Sequence, residues 1–325
     1  MTLVFEPKRT GMAGRLRRRL LGIHPRETSA AHRGFRVAEH GLTEHLEQVG
    51  RTFVAGYHAA AQFPDFTDLE DALNRIDAPH RGFAYEGAGM ALALLDCLTP
   101  WRAGRLERFL HGFGADHAYM IHVGVGWAWA RWPGSPERRL ESLDPLLRWL
   151  ALDGTGFHAG YFHWPTSIAR QERPALSPYG ERAFDQGLGR SLWFVESAHP
   201  DRIAAAVDAF PEARRADLWS GVGLAAAYAG GVSTVELRRL RDLAAEYLPE
   251  AAQGVSFAAK ARKRAGNPVP HTEAACVVFC QGSLEEAARA TDEALARAVP
   301  EPGVPLYEAW RRNLRITFGR RERAS

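Results

Sequence analysis

The chain has 325 residues, 46% hydrophobic and 24% charged, with three cysteines and a net charge of +3. There is ample apolar material for a core and too little cysteine for a disulfide scaffold, so a disordered chain and a disulfide-rich secreted module are both excluded. The charge is uneven: residues 1–37 carry +7, residues 311–325 carry +5 and residues 38–310 carry −9, which argues against nucleic acid as a partner.

These shifts predict a basic N-terminal tail over 1–37, a single helical domain over 38–310 and a basic C-terminal tail over 311–325. The N-terminus lacks a secretory apolar run, and no stretch reaches about 18 apolar residues. With free thiols, this predicts a cytoplasmic protein. Met12–Ile23 reads as a short amphipathic helix, with Leu16, Leu20 and Ile23 beside four arginines. It predicts peripheral membrane or partner contact; a solvated tail is the alternative.

Further along, Leu69, Ala72, Leu73, Ile76 and Arg81 match Ile203, Ala206, Val207, Phe210 and Arg215 at an offset of 134. The apolar members of each set fall on one helix face. Glu86-Gly-Ala-Gly89, Asp153-Gly-Thr-Gly156 and Ser220-Gly-Val-Gly223 follow at intervals of 67. Between them lie Val123-Gly-Val-Gly126, Gln186-Gly-Leu-Gly189 and Gln253-Gly-Val-Ser256. Gln48–Phe53 looks like an earlier relative of Leu188–Leu192. The surrounding Ala- and Leu-rich segments predict helix, and a glycine inside a helix costs about 1 kcal/mol relative to alanine. Its recurrence at fixed phase predicts close helix–helix approach. An anion site at a helix N-terminus is the alternative, weakened by the acids that precede two of the glycines. The expected fold is an all-α helical-repeat array of alternating helix hairpins, about 33 residues each, curled as a solenoid or toroid. Pro133–Pro136, Pro165–Pro178 and Gly266–Pro270 read as loops within it.

No P-loop, dinucleotide fingerprint or nucleophile elbow is present. Cys276 and Cys280, four apart near His271, read as a packed helix face rather than a metal site. The chemical candidates are polar residues at matching phases. Glu86, Asp153 and Asp185 are expected proton donors or acceptors, with His271 and Glu273 as a second acid/base pair. Tyr85, Phe157, Gln186, Arg190, Trp193, Asp217 and Trp219 are expected to bind substrate. A carboxyl in an apolar pocket titrates high and can donate a proton, and aromatic faces stabilise cations. The structural alternatives are helix capping and Arg pairing, with Arg148 or Arg215 reaching the acid of its own segment and Asp217 meeting Arg190.

Arg81–Gly87, Asp185–Phe194, Arg214–Leu224, Phe257–Arg262 and His271–Glu273 resemble the bacterial domain-of-unknown-function 1702 family, over roughly residues 30–318. The resemblance implies a role in enediyne or other actinobacterial natural-product biosynthesis, on or beside a polyene-type intermediate. It assigns no catalytic residue. The combined expectation is a cofactor-independent acid/base isomerase or cyclase for a hydrophobic, unsaturated, polyene- or terpenoid-type substrate. It would work beside pathway proteins and hold the substrate in a large enclosed cavity with at least two of the acids on its wall. A non-catalytic helical-repeat scaffold or chaperone is the competing expectation.

Overall fold

A computed structural model describes residues 12–37, 40–63 and 65–323. All regular structure among them is helical, and no strand forms beyond an isolated Glu301–Val304 bridge. In chain order the α-helices are α1 (Met12–Leu21), α2 (Ala30–Arg33), α3 (His40–Gln62), α4 (Phe66–Asn74), α5 (Ala78–Leu98), α6 (Arg105–His111), α7 (Ala118–Ala130) and α8 (Trp149–Phe162). They continue as α9 (Pro178–Val195), α10 (Pro200–Asp208), α11 (Glu212–Tyr228), α12 (Thr234–Ala244), α13 (Leu248–Arg264), α14 (Pro270–Ala275), α15 (Leu284–Ala296) and α16 (Leu306–Glu322). No helix among the described residues is long and apolar enough to cross a membrane.

Seven helices, α3, α5, α7, α8, α9, α11 and α13, pack each on the next in that order. The Gly-x-Gly pairs lie inside these helices, and each glycine faces a neighbour. The first glycine meets the backbone carbonyl of the residue just before the motif in the preceding helix. Gly124 meets Glu86, Gly154 meets Val123, Gly187 meets Asp153, Gly221 meets Gln186 and Gly254 meets Ser220. The second glycine meets a carbonyl of the following helix. Gly89 meets Ile121, Gly126 meets Ala151, Gly156 meets Phe184, Gly189 meets Leu218 and Gly223 meets Ala251. A Cβ at any of these positions would collide with backbone, so the glycines serve packing. In α3 the equivalent glycine is Gly56, against Ala84. Gly50, within the expected relative Gln48–Phe53, instead rests on the side chains of Thr28 and Tyr161.

The shorter helices support this row. In α4, Leu69, Ala72 and Leu73 are buried, as are Ile203 and Val207 in α10. Arg81 binds the Ile76 and Asn74 carbonyls at 3.2 and 3.0 Å, and Arg215 binds those of Phe210 and Asp208 at 2.8 and 2.6 Å. Both arginines thus cap the preceding short helix, and Arg215 is not paired with an acid of its own segment.

Within the described residues both charged ends carry packed side chains, contrary to their reading as tails. Ile23, Thr28, Ala30 and Phe35 are buried, and Gly14 of α1 sits on the Gln62 carbonyl. Arg311, Leu314 and Phe318 of α16 are buried as well. Arg311, Arg312 and Arg315 of α16 form ion pairs that composition alone does not reveal. Residues 1–11 and 324–325 lie outside the described residues.

The glycine contacts generate a stability prediction. Gly187→Ala forces Cβ into the Asp153 carbonyl and should cost about 3 kcal/mol or more. Gly41→Ala, with nothing within 4 Å, should stabilise by up to about 1 kcal/mol. Urea denaturation of both variants checks this; equal effects would contradict the backbone-contact assignment.

Candidate functional site

Residues at a common phase meet in one chamber. Trp127, Phe157, Arg190 and Leu224 each stand three positions after a first glycine; Tyr161, Phe194 and Tyr228 stand seven after. All seven line a pocket with Val49, Phe53, Phe83 and Glu86, closed on one side by Ile23, Glu27 and Thr28. Positions four apart lie about 40° apart around a helix, so these phases share a face. The rings pack edge-on or tilted: Phe53–Trp127 at 4.7 Å, Trp127–Phe157 at 5.0 Å and Phe83–Tyr228 at 5.2 Å between centroids. Arg190 places its guanidinium 4.7 Å from the Phe157 ring centre. The chamber holds about 50 Å³, a small cavity. It is much narrower than the large cavity expected.

Of the expected acids, Glu86 is the one on this wall. It is buried, and its Oε1 has no hydrogen-bond partner. Burial pushes its pKa up to about 8; Arg190 opposes the rise and Asp153 adds to it. The Trp127 indole N–H also favours the anion slightly, without completing a hydrogen bond of good geometry. Near neutral pH, Glu86 is therefore mostly protonated.

Asp153 is buried but engaged. It accepts from Arg190 Nη1 at 2.5 Å and Gln186 Nε2 at 2.8 Å. A polar chain continues from there. Ser220 Oγ lies 3.3 Å from Gln186 and 2.9 Å from Gln253, and Arg311 binds Gln253 at 3.1 Å and Asp217 at 2.8 Å. Asp217 also accepts from Arg182 at 2.9 Å, so its cations are Arg182 and Arg311 rather than Arg190. Glu308 closes the chain; although burial opposes its ionisation, Arg311, Arg315 and Arg182 hold its pKa down at about 2. The residues preceding the glycines thus form a buried polar ladder. Val123 breaks it, occupying in α7 the place of Gln186 in α9 and Gln253 in α13. Glu86, on the adjoining helix, is left without a polar rung beside it.

The remaining expected residues lie elsewhere. Asp185 is paired with Arg214 at 2.9 and 2.5 Å and with Arg173 at 2.8 Å. Tyr85 stacks on His117 at 3.9 Å in a cluster with Phe109 and Phe113. Five positions before the chamber phase, it sits about 140° around the helix; Trp219 shares that phase and is core. Trp193 donates to the Gly230 carbonyl at 3.0 Å. His271 bonds the Tyr228 carbonyl at 3.2 Å, and burial with nearby Arg262 drives its pKa down to about 4. Glu273 accepts from the Leu284 N–H at 2.9 Å, capping α15, so it is not paired with His271 for proton exchange. Arg148 lies over the Trp149 ring, 5.6 Å from its centre. Cys276 and Cys280 are buried thiols, and no cluster able to hold a metal occurs among the described residues. Of the expected site residues, the chamber brings together Glu86, Phe157 and Arg190. Trp127, Tyr161, Phe194 and Tyr228 were missed, though their constant offset from the glycines is visible in the sequence.

The fold and site together define an all-helical protein with a buried, elevated carboxyl at an aromatic chamber. The chain belongs to the family of proteins of unknown function DUF1702, whose model matches residues 12–318. Neither a curated protein nor a solved structure matches it.

The two acids should respond oppositely to neutralisation. Asp153→Asn strands the Arg190 cation and should cost about 3–5 kcal/mol. Glu86 has a folded pKa of about 8 against an ordinary 4.5. Its stability contribution is full below the unfolded pKa and is lost as pH rises toward 8, a penalty of roughly 3 kcal/mol at pH 7. Glu86→Gln should remove that slope. Unfolding free energies measured between pH 5 and 8 check it; parallel curves for wild type and variant would mean that Glu86 ionises normally.

Proposed function

We propose that this protein is a cofactor-independent acid/base catalyst that isomerises a hydrophobic, unsaturated substrate at the aromatic chamber. The observation that carries the reading is Glu86: buried, protonated near neutrality, with one oxygen unpartnered on an aromatic wall. A carboxyl with a pKa near working pH both gives and takes protons efficiently. Its acid form donates to one end of a conjugated system, and its carboxylate removes a proton from another, so atoms and charge balance. Positive charge developing between the two steps faces the rings of Phe83, Trp127, Phe157 and Tyr228. So weak an acid suits proton shuttling along an activated polyene better than protonation of an isolated alkene, which places isomerisation ahead of cyclisation. The narrow chamber admits only the reacting end of such a molecule.

We read the row from α3 to α13 as a curled helical-repeat array. Support comes from the constant register of its glycine contacts, the paired duties of Arg81 and Arg215, and the contribution of six of its helices to one chamber. Biosynthesis of a specialised metabolite, with pathway proteins nearby, is the setting that the family resemblance suggests. Metabolite profiling of the native host tests the activity. Replacement by Glu86→Gln should abolish the product and accumulate its precursor while the protein stays folded. An unchanged profile would reject catalysis by Glu86 and favour the scaffold reading. With the accumulated precursor and purified protein, acid-dependent turnover should fall as pH rises through about 8.

A further observation supports a membrane-surface setting for this activity. Met12, Leu16 and Leu20, spaced by four on α1, are 83, 55 and 72% exposed, and Arg15, Arg18 and Arg19 are exposed among them. An apolar stripe flanked by arginines fits an anionic lipid surface. Flotation with phosphatidylglycerol vesicles should recover the protein, and the double variant Leu16→Ser/Leu20→Ser should stay behind; equal recovery would rule α1 out.

A further inference from the structure

Beside the chamber lies an open bowl of about 580 Å³. Ile23, Glu27 and Phe162 belong to the walls of both. The rest of the bowl has a different chemistry: Arg33, Arg131, His24, His158 and His163. Its one carboxylate, Glu27, is engaged by Arg33 at 2.9 Å, His32 at 3.4 Å and Arg26 at 3.6 Å. Arg131 is exposed, and its side chain makes no hydrogen bond or ion pair among the described residues. Arg33 keeps its Nε buried without a partner. The positive field is felt at His158. Burial first, then Arg131, His163 and Arg33, drive its pKa down to about 3.

One unpaired guanidinium, Arg131, stands beside a second, Arg33, whose carboxylate partner Glu27 is shared with Arg26, so the open concavity keeps a net positive charge that suits an oxyanion. The apolar chamber next door takes a different part of the same molecule. We propose that the bowl binds the anionic head, a phosphate or carboxylate, of an amphiphilic substrate whose unsaturated chain enters the chamber past Ile23. This rests on the chamber reading above and specifies the substrate class. It also accommodates the narrow chamber, because the bowl holds the bulk of the ligand while only the reacting end reaches Glu86.

Calorimetry on the full chain tests the proposal, using dodecyl phosphate, dodecanoate and dodecanol below their micelle-forming concentrations. At least one oxyanion should bind about tenfold or more tightly than dodecanol, as charge-assisted hydrogen bonds to a guanidinium allow. The two anionic arms separate phosphate from carboxylate recognition. In Arg131→Gln, a surface change that leaves the packing untouched, the preference should fall below about threefold, while dodecanol binding stays the same. Binding should also raise the pKa of His158, read from its imidazole NMR signals. Equal affinities for all three probes, or a preference retained in Arg131→Gln, would overturn the proposal while leaving the chamber intact. Failure of all three to bind would overturn the chamber reading as well.

Discussion

The structure depends on backbone meeting backbone. At each step of the row from α3 to α13, a carbonyl of one helix sits against a glycine of the next, in a space that a methyl group would occupy. Each internal glycine costs about 1 kcal/mol of helix propensity. The return is dense packing over the length of two helices, with weak Cα–H···O contacts as a lesser contribution. Because both glycines of a motif are used, one toward each neighbour, the register of each inner helix from α5 to α11 is fixed on two sides. The side chains that follow at fixed offsets then have no freedom to choose their surroundings.

That register explains why the polar ladder exists. The residue before each first glycine is held inside a helix–helix contact, with its carbonyl against the next helix. A polar side chain there must find partners inside the protein, because an unmet buried polar group costs about 1–3 kcal/mol. Asp153, Gln186 and Ser220 meet this demand with one another and with Arg190, and Gln253 does so through its Oε1, which accepts from Ser220 and Arg311, while its Nε2 stays unpartnered. Glu86 is under the same demand but borders Val123. A carboxylate there would be buried with too few donors, so the proton stays on. Burial is the main cause of the elevated pKa, Asp153 adds to it, and the apolar Val123 supplies no donor to offset them.

Much of this was legible in the sequence. The 67-residue spacing of the glycines, the helix faces at Leu69–Ile76 and Ile203–Phe210, and the polar residues at matching phases follow from counting. The partners were not legible, because they come from outside the pattern. Arg311 reaches Asp217 across 94 residues, and Arg173 reaches Asp185 from a loop. Composition marked Arg311 as part of a basic end, whereas burial and two carboxylates define its place. Aromatic residues posed a different difficulty. Tyr85, Trp193 and Trp219 are as conspicuous as Trp127 and Phe157, and only the angle around the helix separates core from chamber.

The same rigidity constrains how a ligand is received. Helices locked in register on both sides cannot swing apart without breaking a series of backbone contacts, so the long walls of the chamber are fixed. The wall at residues 23–28 is held differently. Ile23 N–H donates to His58 Nε2 at 3.1 Å, and Tyr57 donates to the Leu21 carbonyl at 2.9 Å. His58 can accept because burial, with Arg18 nearby, keeps its pKa down at about 4 and the imidazole neutral. A few side-chain hydrogen bonds of about 1 kcal/mol each are far easier to exchange than interlocked backbones. Ile23, Glu27 and Thr28 therefore form the less tightly held wall of the chamber, and the first two also face the bowl. The soft wall lies between the polar and apolar halves of the site, where an amphiphile has to pass.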